Sequence, residues 1–409
     1  MVRWCARAGV ICQRAAGVAG EVICEKRYGV RRMCSYYDIG LNLTDPMYRG
    51  VYNGKQYHES DVKEVLARAS ERGVKCALLT GSSLVESRDA VELAHSDELS
   101  GSGTQLKYTV GVHPCCVNEF ANQDATIDNP SHDEALNQAL GRKVWENPQQ
   151  SHLKLRELYD LIEERLASKD ARFGAVGEIG LDYDRFYYSG KEMQRIFFEE
   201  QLKLSCLISN PKMPLFLHMR NCCDDFVAIM KKFIDGFQDE EDRFGLASIA
   251  GVERPVFYKF DPERMFVTHS FTGSVGDLEK ILALSPHSYI GMNGCSLKSE
   301  ENIDCAEAVP IERLLLETDA PWCDIRRTHS SFRFLTGYEP PYRSVKRDKL
   351  SKVSQDDRLK TMVKGRNEPC TMEQVAIVVA NVKNIPLKHL VETVWDNSCR
   401  VYGGVSTSG

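Results

Sequence analysis

The sequence predicts an α/β fold, a closed (β/α)8 TIM barrel, and three observations carry that expectation. Strand-like and helix-like segments alternate along the chain, as in βα units built around a parallel sheet. Eight strand-like segments emerge, the number such a barrel requires. Five acid or imidazole side chains, His113, Glu178, His218, His269 and Asp319, fall at or just past the ends of short apolar runs: Tyr108 to Val112, Phe173 to Val176, Pro214 to Leu217, Met265 to Val267 and Leu314 to Leu316. Residues drawn from many strand ends need a fold that gathers those ends, and the C-terminal rim of a barrel does so.

In chain order, a strand is expected over 36–41, then a helix over 58–73, a strand over 74–80, a helix over 83–95 and a strand over 107–112. The strand segments are short and apolar enough to be buried on both faces, and the intervening segments carry helical periodicity. The alternation resumes with helix 153–168, strand 173–177, helix 190–209, strand 213–217, helix 222–236 and strand 264–268. Helix 274–284, strand 287–291, helix 299–308 and strand 312–317 complete the eight. Three stretches interrupt the pattern: 118–151, polar with Asn, Gln and Pro; 237–263, charged; and 324–364, rich in Arg, Lys and Ser. They read as surface insertions, because extra polar loop length costs little entropy. Thr371-x-x-Gln374 reads as a capping box opening a helix to about Val382, and a last helix over about Leu387–Tyr402 closes the outer layer.

The chain has 409 residues, 43% of them apolar, enough for one large core. The expected division is an N-terminal extension over 1–35 and a single barrel domain over 36–404 that carries the insertions. A formal charge of −6 does not suggest a protein that coats nucleic acid electrostatically, so a polyanionic substrate would have to be gripped locally. Fifteen cysteines, an odd number without Cys-x-x-Cys spacing and with the adjacent pairs Cys115-Cys116 and Cys222-Cys223, read as reduced thiols. They point to a cytoplasmic, nuclear or mitochondrial setting. No apolar stretch approaches the roughly 20 residues of a membrane span, so a soluble protein is expected. Residues 1–35 are rich in Arg and small residues, with Glu21 and Glu25 as the only acids. That composition raises a mitochondrial address against the plainer reading of a disordered extension.

Glu178 lies in Val-Gly-Glu-Ile-Gly-Leu-Asp, between glycines that permit close backbone approach, and a carboxylate there can bridge two cations. The plainer reading is a rim acid paired to a base. His218 and His269 follow hydrophobic strands and can each offer a nitrogen lone pair to a metal. One such histidine is more often a core residue; two on successive strands, with Glu178 on the strand before, favour ligation. Asp319 can complete the site or orient an attacking water, whereas its neighbour Glu317 reads as making structural pairs. His113, in Gly-Val-His-Pro, can donate to a phosphate oxygen or protonate a leaving group, or else belong to a turn. Arg220 is placed to hold a phosphate or to make a rim salt bridge. Tyr183, Arg185 and Phe186 are candidates for a lip that stacks bases and contacts phosphates, though such aromatics more often pack. Trp322 with Arg326, Arg327 and His329 is a further candidate border of the substrate. Gly365 to Pro369 reads as an anchor for the closing helix.

Seven segments, taken in order, resemble the TatD family of metal-dependent deoxyribonucleases, and its fungal and other eukaryotic members in particular. They are Tyr-Asp-Ile-Gly-Leu-Asn-Leu-Thr-Asp (37–45), Gly-Val-His-Pro (111–114), Gly-Glu-Ile-Gly-Leu-Asp (177–182), Phe-Leu-His-Met-Arg (216–220), His-Ser-Phe-Thr-Gly (269–273), Glu-Thr-Asp-Ala-Pro-Trp (317–322) and Gly-Arg-Asn-Glu-Pro (365–369). The resemblance implies a barrel of the metal-dependent hydrolase, amidohydrolase-like type. It implies Glu178, His218, His269 and Asp319 as metal ligands and His113 as the active-site histidine. Where many relatives begin with His-x-His, this chain has Asn42-Leu43-Thr44, so two imidazoles are missing from one half of a bimetal site. That half would retain mainly oxygens, from Glu178, Asp319 and either Asp38 or Asn42. Oxygen ligands favour Mg²⁺ or Mn²⁺ over Zn²⁺, with one or two ions bound and the second held weakly or arriving with substrate phosphate.

The function so implied is hydrolysis of DNA phosphodiester bonds by a metal-activated water, as a 3′-to-5′ exonuclease on DNA ends or single-stranded DNA, by a monomer and away from membranes. Two alternatives stand beside it. The same centre can attack a carboxylic ester, as in a D-aminoacyl-tRNA deacylase. A barrel that lost a working metal centre with the His-x-His pair would be a non-catalytic scaffold.

Overall fold

The computed structural model describes residues 34–121, 139, 141 and 143–404. Eight parallel strands form one sheet: β1 (Tyr36–Leu41), β2 (Val74–Leu79), β3 (Gln105–Val110), β4 (Phe173–Asp182), β5 (Leu215–Arg220), β6 (Phe266–His269), β7 (Ser288–Met292) and β8 (Leu314–Leu316). Each strand pairs with the next in chain order. Closure comes from the segment just past β8, where Leu41 bridges Ala320 in parallel and the Asp319 amide donates to the Gly40 carbonyl at 2.9 Å. The outer helices are α1 (Val62–Glu71), α2 (Leu84–Ala94), α3 (Pro148–Ala167), α4 (Lys191–Leu207), α5 (Cys223–Asp235), α6 (Val275–Leu284), α7 (Glu300–Ala308), α8 (Met372–Val382) and α9 (Leu387–Tyr402).

The two-residue period of the strands explains where the polar site sits. Tyr37 and Ile39 of β1, Cys76 and Leu78 of β2, Ala175, Phe216, Val267, Tyr289 and Leu315 pack in one apolar cluster, with Val401 and Tyr402 of α9. Two residues beyond Phe216, Val267 and Leu315 come His218, His269 and Glu317, so the same alternation stacks a polar layer on the hydrophobic one. The ring of Phe216 lies 4.4 Å from that of His269, centroid to centroid, and is the floor of the polar layer.

Several expectations need correction. β4 runs on to Asp182, so Glu178 lies within the strand, and His218 likewise lies within β5. α3 begins at Pro148, whose ring suits the first helical turn, so the first insertion ends earlier than 151; residues 122–138 of it lie outside the described residues. The charged stretch 237–263 is an antiparallel ribbon, 237–239 with 256–258, and a helical turn, Leu246–Ala250, which bury Phe244, Leu246, Tyr258 and Phe260. The 324–364 stretch holds a parallel ribbon of 343–345 and 361–363 and buries Leu335, Tyr342 and Leu350. Its apolar residues are spaced among charges, and so composition hid them. The Thr371 capping box does not form: its hydroxyl donates to Asn367 Oδ1 at 2.8 Å and to the Glu368 carbonyl at 2.9 Å. True boxes open α6, at Ser274 with Asp277, and α7, at Ser299 with Asn302. The expected N-terminal extension lies, up to residue 33, outside the described residues.

Candidate metal centre

The pairing of β4 with β5 shifts register between Gly177 and Ile179, and Glu178 sits at that irregularity. A bulged residue leaves the ladder and can be re-aimed, here into the barrel mouth. Gly177 and Gly180 flank it with φ near 150°, and a Cβ on Gly180 would fall 2.0 Å from the His218 carbonyl oxygen. Only glycine lets β4 approach β5 this closely. The Glu178 amide donates to the Gly81 carbonyl at 2.8 Å, tying the bulge to the loop after β2.

Three imidazoles converge on one oxygen of Glu178. His269 Nε2 lies 2.7 Å from Oε1, His218 Nδ1 2.9 Å and His113 Nε2 3.3 Å. All four side chains are buried or nearly so. His218 Nε2 meets Asp182 Oδ2 at 3.2 Å, and His269 Nδ1 meets Glu317 Oε2 at 3.3 Å. A carboxylate behind an imidazole fixes the orientation of the ring and makes its other nitrogen a better donor. The ligand atoms of His113, Glu178 and His218 fall within 4.8 Å of one another, as do those of His113, Cys115 and Asp182. This set of imidazole nitrogens and carboxylate oxygens fits a divalent cation.

Charge follows the same geometry. Burial opposes ionisation of Glu178, but the positive charge of His269, hydrogen bonds from His218 and His269 and the nearby Nε2 of His113 outweigh it and hold the carboxyl well below its usual range. Burial likewise opposes the charged forms of His269 and His218. The carboxylates win: Glu178 and Glu317 raise His269 well above its ordinary value, and Asp182 and Glu178 raise His218. The carboxylates thus hold protons on these imidazoles, at the positions a cation would take over on binding. His113 behaves oppositely. Burial lowers it to about 3, so its ring is neutral. Its Nδ1 accepts the Cys115 amide at 3.0 Å, which leaves the proton on Nε2, facing Glu178.

Asp319 stands at the β8 edge with φ 49°, one oxygen accepting from Asn42 Nδ2 at 2.8 Å and the other from the Cys323 thiol at 3.2 Å. Thr80 donates its hydroxyl to Asn42 Oδ1, which fixes the amide with its nitrogen toward Asp319. Burial lifts the Asp319 carboxyl to about 6 against the opposing charge of His269. Asp38 points elsewhere: its oxygens accept from the amide of Thr318 at 2.8 Å and from the Thr318 hydroxyl, bracing the loop that carries Asp319. Glu317, expected to make structural pairs, accepts from Asn293 Nδ2 at 3.3 Å and from the Ser270 amide, besides steadying His269.

At the rim, Arg220 keeps about a third of its side chain exposed while Nη1 lies 3.6 Å from Asp182 Oδ2, so both of its expected roles are open to it. Tyr183 donates to Asp225 at 2.6 Å, under the Lys191 ammonium, and its ring lies 5.1 Å from that of Phe186. Arg185 donates to the Tyr187 hydroxyl and lies 5.9 Å from the Tyr188 ring. Trp322 and Arg327 are exposed; Arg326 pairs with Asp324 at 3.1 Å, and His329 is half-buried. Sequence reasoning passed over Asp182 and Cys323 as site residues. Asp182 had a signal, since residues four apart on a strand share a face with Glu178 between the same neighbours. Cys323 had none: its thiol reaches Asp319 through the turn after β8, whose shape no local pattern records.

A family model described as TatD related DNase matches residues 38–403. "Deoxyribonuclease Tat-D" of Saccharomyces cerevisiae is 55% identical over 384 residues, covering 90% of this chain and 91% of that protein. The protein of the same name in Schizosaccharomyces pombe is 36% identical over 366 residues, 89% of this chain and 94% of that one. A "3′-5′ ssDNA/RNA exonuclease TatD" of Erwinia tasmaniensis is 28% identical, over 70% of this chain and 80% of its own. A crystal structure described as an uncharacterized amidohydrolase from Saccharomyces cerevisiae superposes with a TM-score of 0.84 at 52% identity, covering 90% of this chain and all of that one.

Proposed function

The chain belongs to the TatD related DNase family, and from that membership we propose that it is a divalent-metal-dependent deoxyribonuclease, degrading DNA from 3′ ends. The observation that carries the reading is the convergence of His113, His218 and His269 on one oxygen of Glu178 at the mouth of the barrel. Glu178, His218 and His269 would hold a divalent cation, which would supply Lewis acidity to the phosphoryl oxygens and lower the pKa of water beside them. Mg²⁺ or Mn²⁺ suits the Asp319 edge better than Zn²⁺, because no imidazole stands at Asn42-Leu43-Thr44 and the Asp319 carboxylate is the hard donor that edge retains.

The remaining work falls to side chains. Asp319, oriented by Asn42 and Cys323, accepts the proton of the attacking water. His113, neutral and carrying its proton on Nε2, donates a hydrogen bond to a phosphoryl oxygen. Arg220, steadied by Asp182, grips a neighbouring phosphate. Support for a short, local grip comes from the acidic charge of the whole chain.

The test uses 5′-labelled single-stranded DNA with EDTA, Mg²⁺, Mn²⁺ or Zn²⁺, and an aminoacyl ester beside it. Shortening from the 3′ end with Mg²⁺ or Mn²⁺, abolished by EDTA, is expected, and Asp319→Asn should lower the rate on the order of a hundredfold to ten-thousandfold. Undiminished degradation by Asp319→Asn would remove that residue from the chemistry. Cleavage of the ester alone would make the protein a deacylase, and cleavage of neither a scaffold.

A further inference from the structure

Beside Asp319 the loops after β1 and β8 meet the ribbon of 343–345 and 361–363, and between them lies a groove of about 1230 Å³. Its walls carry the rings of Tyr52, Tyr57 and Trp322 and the cations Lys346, Arg347 and Lys364. Trp322 is 53% exposed. The Arg347 guanidinium lies 5.2 Å from the Tyr52 ring and 4.5 Å from that of Tyr57, within cation–π reach of both. Among the described residues no ion pair engages Lys346, Arg347 or Lys364. The two acids of the groove are otherwise occupied: Asp45 accepts the Met47 amide at 2.8 Å, and Asp348 lies 3.8 Å from Lys349.

The groove shares its loops with the candidate centre. The Trp322 amide donates to the Asp319 carbonyl at 2.9 Å, and the Asp45 amide to the Asn42 carbonyl at 3.1 Å, so the loops that present Asp319 and Asn42 also line the groove. Its volume exceeds that of pockets built for one small molecule, and cations alternating with aromatic faces are what a single strand requires: charge for phosphates, planes for bases. An acidic peptide would satisfy the cations but leave the rings without stacking partners.

We propose that this groove binds the single-stranded DNA leading away from the scissile bond, with Lys346, Arg347 and Lys364 on its phosphates and Trp322 stacked on a base. The proposal rests on the nuclease reading above. It makes the ribbon insertion a substrate track that compensates, at one edge of the mouth, for the acidic charge of the chain as a whole.

The experiment measures binding of the full chain to fluorescent oligothymidylates of graded length, in EDTA so that nothing is cut, and cleavage separately with Mg²⁺ or Mn²⁺. Affinity should rise with length up to roughly eight nucleotides. Lys346→Ala/Lys364→Ala should weaken the longest strand about tenfold, with a deficit that grows with length, and reduce the salt slope by about 1.4. Trp322→Ala should cost about tenfold on the long strand, while Lys388→Ala, on an exposed face of α9, should bind as wild type. Wild-type affinity in the groove variants, a loss equal at every length, or displacement by oligoglutamate as effective as by DNA would overturn the proposal. Length-dependent binding through the groove without any cleavage would sink the nuclease reading and leave the groove standing. Cleavage with length-independent binding would do the reverse.

Discussion

Asn42 stands where many relatives carry an imidazole, and its amide now holds Asp319 through Nδ2 while Thr80 holds its Oδ1. An amide so fixed positions the carboxylate without competing for a cation. Asn42→Leu, which keeps the volume and removes the donor, should lower kcat about tenfold or more with a smaller change in KM, as expected for a positioning group. Equal loss in both would indicate instead that Asn42 touches substrate. Glu119 offers a residue-scale test of stability. Buried, and accepting the Leu84 amide at 3.1 Å, its carboxyl is raised by burial to about 7. Because that value lies above the ordinary one, the protonated side chain contributes stability that is fully present below about pH 4.5 and is lost as pH rises through 7. Glu119→Gln keeps the acceptor and removes the titration. Denaturation midpoints should coincide for the two proteins below pH 4.5, and the variant should be more stable above pH 7 by up to about 3 kcal/mol.

At the scale of elements, β4 is the strand on which the centre depends. All ten of its residues are buried, and its glycines let it press against β5 while the bulge turns Glu178 into the mouth. Gly180→Ala would set a methyl 2.0 Å from the His218 carbonyl, at φ 150°, where an L side chain is strained. We expect a loss of about 3 kcal/mol or more in denaturant unfolding, accompanied by weaker metal retention because His218 must move with the backbone. Unchanged stability and metal content would show that β4 can slide relative to β5. The strand's existence and its glycines were legible in sequence; the bulge was not, because it arises from register against β5.

Across the molecule, a buried charge network ties the closing segment to the centre. Arg366 pairs with Asp61 at 2.7 Å and with Glu368 at 2.9 Å, Glu368 pairs with Arg68 at 2.7 Å, and all four are at most 2% exposed. Beside them Asn367 donates to the Thr318 carbonyl at 3.1 Å, and its amide to Pro321 at 2.8 Å, gripping the turn that carries Asp319. The network balances two cations against two anions. Glu368→Gln leaves a net buried positive charge and should cost about 3–5 kcal/mol of stability in urea titrations, since breaking a buried pair is far costlier than its net worth. A change below about 1 kcal/mol would mean that water reaches the cluster. The anchor expected of Gly365 to Pro369 thus acts by charge as much as by packing.

Alternation of apolar strands and amphipathic helices was enough to place eight strands and the outer helices α1 to α7, because burial on a repeated βα plan writes a period into the chain. Motif spacing likewise singled out Glu178, His218, His269 and Asp319 before any geometry was known. What the sequence could not hold was the relation between segments far apart in number. The hold of Asn42 on Asp319, the turning of Asp38 toward Thr318 and the packing inside the charged insertions all depend on contacts across tens to hundreds of residues. Local composition is blind to such partners; closure of the barrel brings them together.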